Sequence, residues 1–293
     1  MRIKALIVGI LISWVGFQGL EAASLKDRFF LSGDGVLKIV NAKNGAGGKI
    51  VYRTSEGEYL EASRKQINSI FGIDPQDSQQ VDLRLISLLD YLQDHLKGGT
   101  IRVVSGYRSP EYNEGLRQKG GLAAKTSLHL EGMAADINMD GVIGRKLWNF
   151  VRSLNCCGAG YYHGKGIHVD TGPSRFWDEK TTKVEQNLGA HNKLLLLRTE
   201  FDRYQPGEVV KMGIYRVTDY PFGIRQKDSS PCQSISKKEE ARKLQWEIPH
   251  PNKEDKKVLG KMIIPWELCE KNYPEMPDQI LSNPILVLEE KKK

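Results

Sequence analysis

The chain has 293 residues, 40% of them hydrophobic, which suffices for the cores of about two domains of roughly 100–200 residues each. Its 43 Lys and Arg against 36 Asp and Glu give a net charge of +7, with the two signs interspersed; no basic stripe with interleaved aromatics occurs beyond Lys291, Lys292 and Lys293, which excludes a nucleic-acid reader. A mean hydropathy of −0.44 and a single long apolar run exclude a polytopic membrane protein.

That run comes first in the chain. Arg2 and Lys4 precede an apolar stretch from Ala5 to Phe17, and small and polar residues follow at Gly19, Glu21, Ala22 and Ala23, the pattern of a secretory signal peptide over residues 1–23. The stretch falls short of the roughly 20 apolar residues a spanning helix needs. Cleavage is expected after Ala22 or Ala23, placing the mature chain, from near Ser24, in an oxidising periplasmic or extracellular setting with no integral span. Phe29 to Val51, broken by several glycines, predicts short strands and turns. Apolar residues at helical spacing predict helices over Tyr59 to Phe71 and Val81 to Leu96. Thr100 to Ser105 reads as a strand followed by a functional turn, Ala134 to Ile137 as a strand, Gly144 to Leu154 as a helix and Gly166 to Asp170 as a strand. Together they describe an α+β domain over residues 24–183, with a small antiparallel sheet and flanking helices.

Past Lys183 the helical periodicity stops. Runs at Lys193 to Arg198, Val209 to Val217, Lys261 to Trp266 and Pro284 to Leu288 alternate like strands, and Pro–Gly turns separate them. An all-β unit over residues 190–293 is expected, and Tyr204 to Val210 resembles the strand entry of immunoglobulin-like modules. Of the four cysteines, Cys232 and Cys269 are expected to close a disulfide, contributing roughly 4 kcal/mol by loop-closure entropy. Adjacent Cys156 and Cys157 are expected to be small packing residues, since neighbours rarely bond without backbone strain.

The chemistry concentrates in Ser127-Leu128-His129-Leu130-Glu131-Gly132-Met133-Ala134-Ala135-Asp136 and, downstream, Ile167-His168-Val169-Asp170. Two imidazoles and a carboxylate are good zinc ligands, and three protein ligands leave a tetrahedral position open for water, whose pKa the ion lowers while polarising a carbonyl. Amide hydrolysis is the natural outcome. The competing reading is that these are ordinary histidines beside acids. Only six histidines occur in the chain, however, and two lie in small-residue runs next to predicted strands, where side chains can converge. Strand alternation puts Asp170 on the same face as His168, as an outer partner or a base.

Three ordered motifs, Ser105-Gly106-Tyr107-Arg108-Ser109-Pro110-Glu111-Tyr112-Asn113, the Ser127 to Asp136 run, and His168-Val169-Asp170-Thr171-Gly172 with Arg175 and Trp177, resemble the zinc D-Ala-D-Ala metallopeptidases and most closely their YcbK-like peptidoglycan endopeptidase branch. The resemblance covers about residues 28 to 180. It implies His129, Asp136 and His168 as zinc ligands, Arg108 as the cation that holds a substrate carbonyl or carboxylate, and Ser127 as a nearby polar substrate contact. Three departures stand out. Lys165 occupies the position where relatives with an acidic base carry Glu or Asp, leaving Asp170, His163 and Glu131 as base candidates. The loop Tyr161 to Gly166 is about a residue short, with His163 in place of Pro, and Cys156-Cys157 replace a Gly pair. The reading is an exported zinc metallopeptidase that hydrolyses stem or cross-link peptides of peptidoglycan, its C-terminal unit docking on the wall or on a partner. The alternatives are a D,D-carboxypeptidase, a zinc-containing wall-binding protein without turnover, and a mainly adhesive protein.

Overall fold

Leu37 and Ile39 are fully buried on one face of the strand Val36–Asn41 (β1) while Lys38 between them is exposed, the period-two pattern of a half-covered strand. The computed structural model describes residues 25–119, 123–182, 189–219, 221–226, 231–249 and 260–288; the expected signal peptide lies outside them. Gly47–Val51 (β2) runs back along β1. Two helices follow, Glu61–Ile70 (α1) and Leu83–Leu96 (α2). Leu85, Ile86, Leu88, Leu89 and Leu92 form the buried face of α2, which packs on β1. Asp82 caps α2 by accepting from the Arg84 N–H at 2.9 Å, a cap whose loss costs about 1 kcal/mol, and left-handed Lys97 ends the helix.

The chain continues through Ile101–Ser105 (β3), Pro110–Gln118 (α3), Ala134–Met139 (β4), Gly144–Leu154 (α4), Gly158–Tyr161 (β5), Ile167–Asp170 (β6) and Arg175–Asp178 (β7). The strands form one sheet in the order β2-β1-β3-β4-β6-β5-β7. The expected small antiparallel sheet is therefore larger and mixed: β1–β3 and β5–β7 pair in parallel, and the other neighbours are antiparallel. The parallel pairing of β1 with β3 is possible because α1 and α2 supply the long crossover such a pair requires. The expected turn occupies residues 106–109, and α3, which was not expected, follows it. Its start is nonetheless written in Ser109-Pro110-Glu111: the Ser109 hydroxyl accepts from the Tyr112 N–H at 3.2 Å, Pro occupies the first turn and Glu111 faces the positive end of the helix dipole.

Beyond residue 189 the described residues form strands, a 3-10 turn at Ala190–Asn192 and one short α-helix, Lys238–Ala241 (α5). The strands are Leu196–Thr199 (β8), Arg203–Tyr204 (β9), Val209–Tyr215 (β10), Phe222–Gln226 (β11), Gln233–Ile235 (β12), Leu244–Glu247 (β13), Gly260–Met262 (β14), Pro265–Glu270 (β15), Gln279–Leu281 (β16) and Ile285–Val287 (β17). They pair as three sheets, β13-β10-β8, β12-β11-β15-β16 and β14-β17-β9, where an immunoglobulin-like sandwich would have two. The Tyr204 to Val210 turn joins strands of different sheets, because β9 pairs in parallel with β17 and β10 pairs with β8 and β13. Leu197, Tyr204, Val210, Ile214, Phe222, Ile224 and Ile285 build a core distinct from that of the first sheet. Cys232 and Cys269 are joined, as expected. Cys156 and Cys157 are joined as well, against expectation, just past the left-handed Asn155 that ends α4.

The two cores meet along several contacts. The backbone N–H groups of Asp202 and Arg203 donate to the Arg28 carbonyl at 2.9 and 3.0 Å, and Arg84 of α2 pairs with Asp202 while donating to the Thr199 carbonyl at 2.9 Å. Among the described residues no helix is long and apolar enough to cross a membrane.

Candidate metal centre

β4 lies in the middle of its sheet and is buried along nearly its whole length, so a carboxylate there needs partners. In the antiparallel register of β4 and β6, Asp136 stands directly opposite His168, which brings the two side chains together from opposite strands. His129 arrives from the 3-10 turn Leu128–Glu131, which immediately precedes β4. The turn closes at Gly132, whose φ of +65° and closeness to the Gln80 carbonyl, 2.3 Å from where a Cβ would sit, leave no room for a side chain.

The structure brings together His129, Asp136 and His168. His129 Nε2 lies 3.2 Å from His168 Nδ1, His168 Nδ1 lies 2.9 Å from Asp136 Oδ1, and His129 Nε2 lies 3.4 Å from the same oxygen. Donors around a tetrahedral ion at the usual zinc bond lengths of 2.0–2.1 Å are about 3.3 Å apart, so the triangle has the right size. The outer nitrogens decide the tautomers. His129 Nδ1 donates to the Gly106 carbonyl at 2.6 Å, and His168 Nε2 donates to Asp170 Oδ2 at 2.8 Å. Each neutral ring therefore turns a lone pair inward, toward the other and toward Asp136. Three convergent lone pairs in a buried site call for a cation, and nitrogen with carboxylate donors suits zinc.

Electrostatics agree. Burial pushes the Asp136 carboxyl up, but His129 and His168 outweigh it and hold the group well below the carboxylate range. Burial lowers His129, whereas at His168 the hydrogen bonds to Asp136 and Asp170 overcome burial and raise it. The metal-free centre thus favours a proton on His168, which a metal ion would displace. Among the described residues a second acidic group, Asp34, Asp90 and Asp94, also converges, but its all-carboxylate donors do not suit zinc and two of the three are exposed.

The other candidates occupy different places. Arg108 donates through Nη2 to Asp136 Oδ2 at 2.8 Å and through Nε to Ser105 Oγ at 3.1 Å, so it holds the Asp136 carboxylate. Ser127 Oγ accepts from the His129 N–H at 3.4 Å and caps the ligand turn. Asp170 is fully buried; besides His168 it accepts from Gly172 N at 2.8 Å and from both Arg175 terminal nitrogens at 2.6 and 3.0 Å. With every oxygen engaged, Asp170 orients His168 and has no lone pair directed at the metal donors. His163 Nε2 donates to Asp178 Oδ1 at 2.8 Å and is not part of the triad. Glu131 faces the C-terminal unit, bound to Arg216 and Arg242, and Lys165 pairs with Glu179 at the surface.

Tyr162 was missed by the sequence reading. Its ring lies 6.4 Å from that of His168, and burial, then the nearby Asp136 carboxylate, push its phenol up, so it stays protonated. The Trp177 ring lies 5.0 Å from the His168 ring. Gly160, paired with His168, makes room for this indole: a Cβ there would fall 2.4 Å from it. The only sequence signal is that Tyr162 directly follows the residues of β5, the strand that pairs with the one carrying His168.

The family model described as "Peptidoglycan L,D-endopeptidase MepK" matches residues 33–177. Peptidoglycan L,D-endopeptidase MepK of Escherichia coli strain K12 is 30% identical over 147 residues, covering 48% of this chain and 79% of the relative, and the Shigella flexneri protein of the same name matches equally. A Haemophilus influenzae protein named probable peptidoglycan L,D-endopeptidase MepK is 41% identical over 83 residues, 28% of this chain and 45% of the relative. No solved structure matches significantly. The matched region contains the whole triad, and the chain belongs to the peptidase M15-type family of peptidoglycan L,D-endopeptidases.

Proposed function

We propose that the chain is an exported zinc metallopeptidase that cleaves peptide cross-links of peptidoglycan, acting as a murein L,D-endopeptidase in the periplasm or outside the cell. The observation that carries the reading is the triad itself: two imidazoles with inward lone pairs and one carboxylate, 2.9–3.4 Å apart in a buried site. His129, Asp136 and His168 would hold zinc, which when bound supplies Lewis acidity toward a carbonyl and acidifies water. The protein's own groups do the rest. Arg108 holds Asp136 in place, and its guanidinium, in contact with the triad, is the cation offered to a substrate oxygen. Asp170 and the Gly106 carbonyl fix the two imidazole tautomers. Tyr162 offers a neutral phenol that can donate to a developing oxyanion. The bound carboxylates of Asp170 and Glu131, and His163 bound to Asp178, face other partners than the triad, so the general base is sought in the substrate-bound state.

The peptidase unit is proposed to span residues 24–183 after a signal peptide of residues 1–23, followed by the β-rich unit of 190–293; wall or partner docking by that unit rests on its modular position. The test is incubation of the mature chain with defined peptidoglycan fragments, with and without chelation, beside His168→Ala, with products read by mass spectrometry. Chelator-sensitive cleavage of an L,D cross-link, lost in the variant, is expected. Release of terminal D-Ala alone would indicate a D,D-carboxypeptidase, and zinc binding without products from any fragment would indicate a wall-binding protein.

A further inference from the structure

The turn that carries His129 is gripped from outside its own sheet. Glu131, its last residue, is only 8% exposed, so its charge must be met by protein. The partners come from the C-terminal unit: the Arg216 N–H donates to Glu131 Oε1 at 3.3 Å, and Arg242 forms an ion pair with Oε2. The Arg242 guanidinium lies 3.7 Å over the Tyr215 ring, which fixes its plane. Tyr215 and Leu196 pack in turn with Leu128, Met133 and Ala134, a small apolar cluster separate from both main cores that encloses the start of the ligand turn and the start of β4.

A second grip falls beside the other histidine. Arg198 donates to the Thr171 carbonyl at 2.7 Å, and the Thr171 N–H donates to the Met133 carbonyl at 3.1 Å. Thr171 directly follows Asp170, the carboxylate that orients His168. Burial, then the neighbouring Arg84, lower Arg198 to about 10, which leaves it charged at neutral pH. Leu196, Arg198, Tyr215, Arg216 and Arg242 all lie beyond residue 177, where the family match ends.

We propose that the C-terminal unit is an internal brace of the metal centre, in which Arg242 and Arg198 are positioning residues that hold the His129 turn and the end of β6 at the spacing the ion needs. The proposal rests on the metal-centre reading. Groups that orient metal ligands typically alter affinity by about 10–100-fold when removed, and a ligand on a short turn depends on such support more than one inside a strand. Simple adhesion between two units would give the same contacts but would change only stability.

The test measures zinc affinity of the full chain by competition with a chromophoric chelator, with folding followed by thermal melting. Arg242→Ala and Arg198→Ala are expected to bind zinc about tenfold or more weakly, with Arg242→Lys recovering part of the loss. Arg225→Ala, which removes the surface pair with Glu267 at 3.0 Å in the same unit, is expected to bind like the unaltered chain. If Arg242→Ala does not fold, the near-isosteric Glu131→Gln is read by the same criterion. Folded variants with unchanged affinity overturn the brace alone; an unaltered chain that binds no zinc overturns the metal centre and the brace with it.

Discussion

Replacing Asp170 by Asn keeps the shape of the side chain and removes its charge, which isolates what the carboxylate does for His168. Oδ2 accepts from His168 Nε2 at 2.8 Å and Arg175 Nη2 at 2.6 Å, and Oδ1 accepts from Gly172 N at 2.8 Å and Arg175 Nη1 at 3.0 Å. An amide can satisfy only one side. With its oxygen toward His168, its NH2 meets the buried Gly172 N–H, donor against donor, at a cost of about 1–3 kcal/mol. With the amide reversed, His168 Nε2 must accept, its proton moves to Nδ1, and the lone pair offered to the metal is lost. Arg175 adds little to either cost, because its side chain is 37% exposed and can return to water. Either orientation weakens zinc binding, by about 10–100-fold or about 1.4–2.8 kcal/mol.

The same residue sets a pH signature. Burial pushes the Asp170 carboxyl up, but the Arg175 charge and the His168 hydrogen bond prevail and hold it well below its ordinary value. A depressed carboxylate stabilises the fold above its unfolded pKa of about 3.9, and that stability is lost as pH falls through the lower folded value. The metal-free chain should therefore exceed Asp170→Asn in stability by about 1–3 kcal/mol at neutral pH, and the gap should narrow in acid below about pH 4. Chelator competition and urea unfolding at two pH values measure both quantities. A variant that binds zinc as tightly as the unaltered chain would refute the reasoning.

Further predictions address neighbouring groups. Arg108→Ala should weaken zinc binding as well as turnover, because Asp136 loses its partner at 2.8 Å; a rise in KM with unchanged zinc affinity would make Arg108 a substrate contact only. Tyr162→Phe should lower kcat by about 10²-fold with little change in KM, as for loss of one oxyanion donor, and unchanged kcat would remove Tyr162 from the chemistry. Asp90→Asn should be tolerated, since the carboxylate uses only Oδ2, toward Gly35 N and the Tyr52 hydroxyl, and leaves Oδ1 buried without a partner. Burial raises Asp90 to about 6, so the native fold loses stability as pH rises from about 4 through 6, and urea unfolding should show the Asn variant gaining on it across that window. Paired Cys232→Ser and Cys269→Ser should lower stability by roughly 4 kcal/mol in calorimetry, and an unchanged melting curve would contradict the loop-closure argument.

How much of this was legible in the sequence follows the range of the forces involved. α2 and α4 are local objects, and their apolar spacing and termini located them closely. α3 is equally local, but its Ser-Pro-Glu start is followed by little apolar periodicity, with Asn113 its one buried residue. The convergent trio could be named from the motifs, because residue types and their order survive in sequence, whereas the Asp136–His168 register that joins them is a property of strand pairing. Asp170 could be placed on the His168 face by alternation, but Arg175 closing both its oxygens could not. Glu131 illustrates the same limit: two residues from a ligand in sequence, it is bound by Arg242, 111 residues away. The three sheets of the C-terminal unit depend on pairings as distant as β9 with β17, which short alternating runs do not encode.

The most direct test of the central claim is the metal content of the purified full chain, measured by elemental analysis beside His129→Ala, Asp136→Ala and His168→Ala. The account predicts about one zinc per chain, strongly reduced in each variant because three protein ligands leave none to spare. Full zinc content in all three variants, with the protein folded, would place the metal elsewhere and contradict the account.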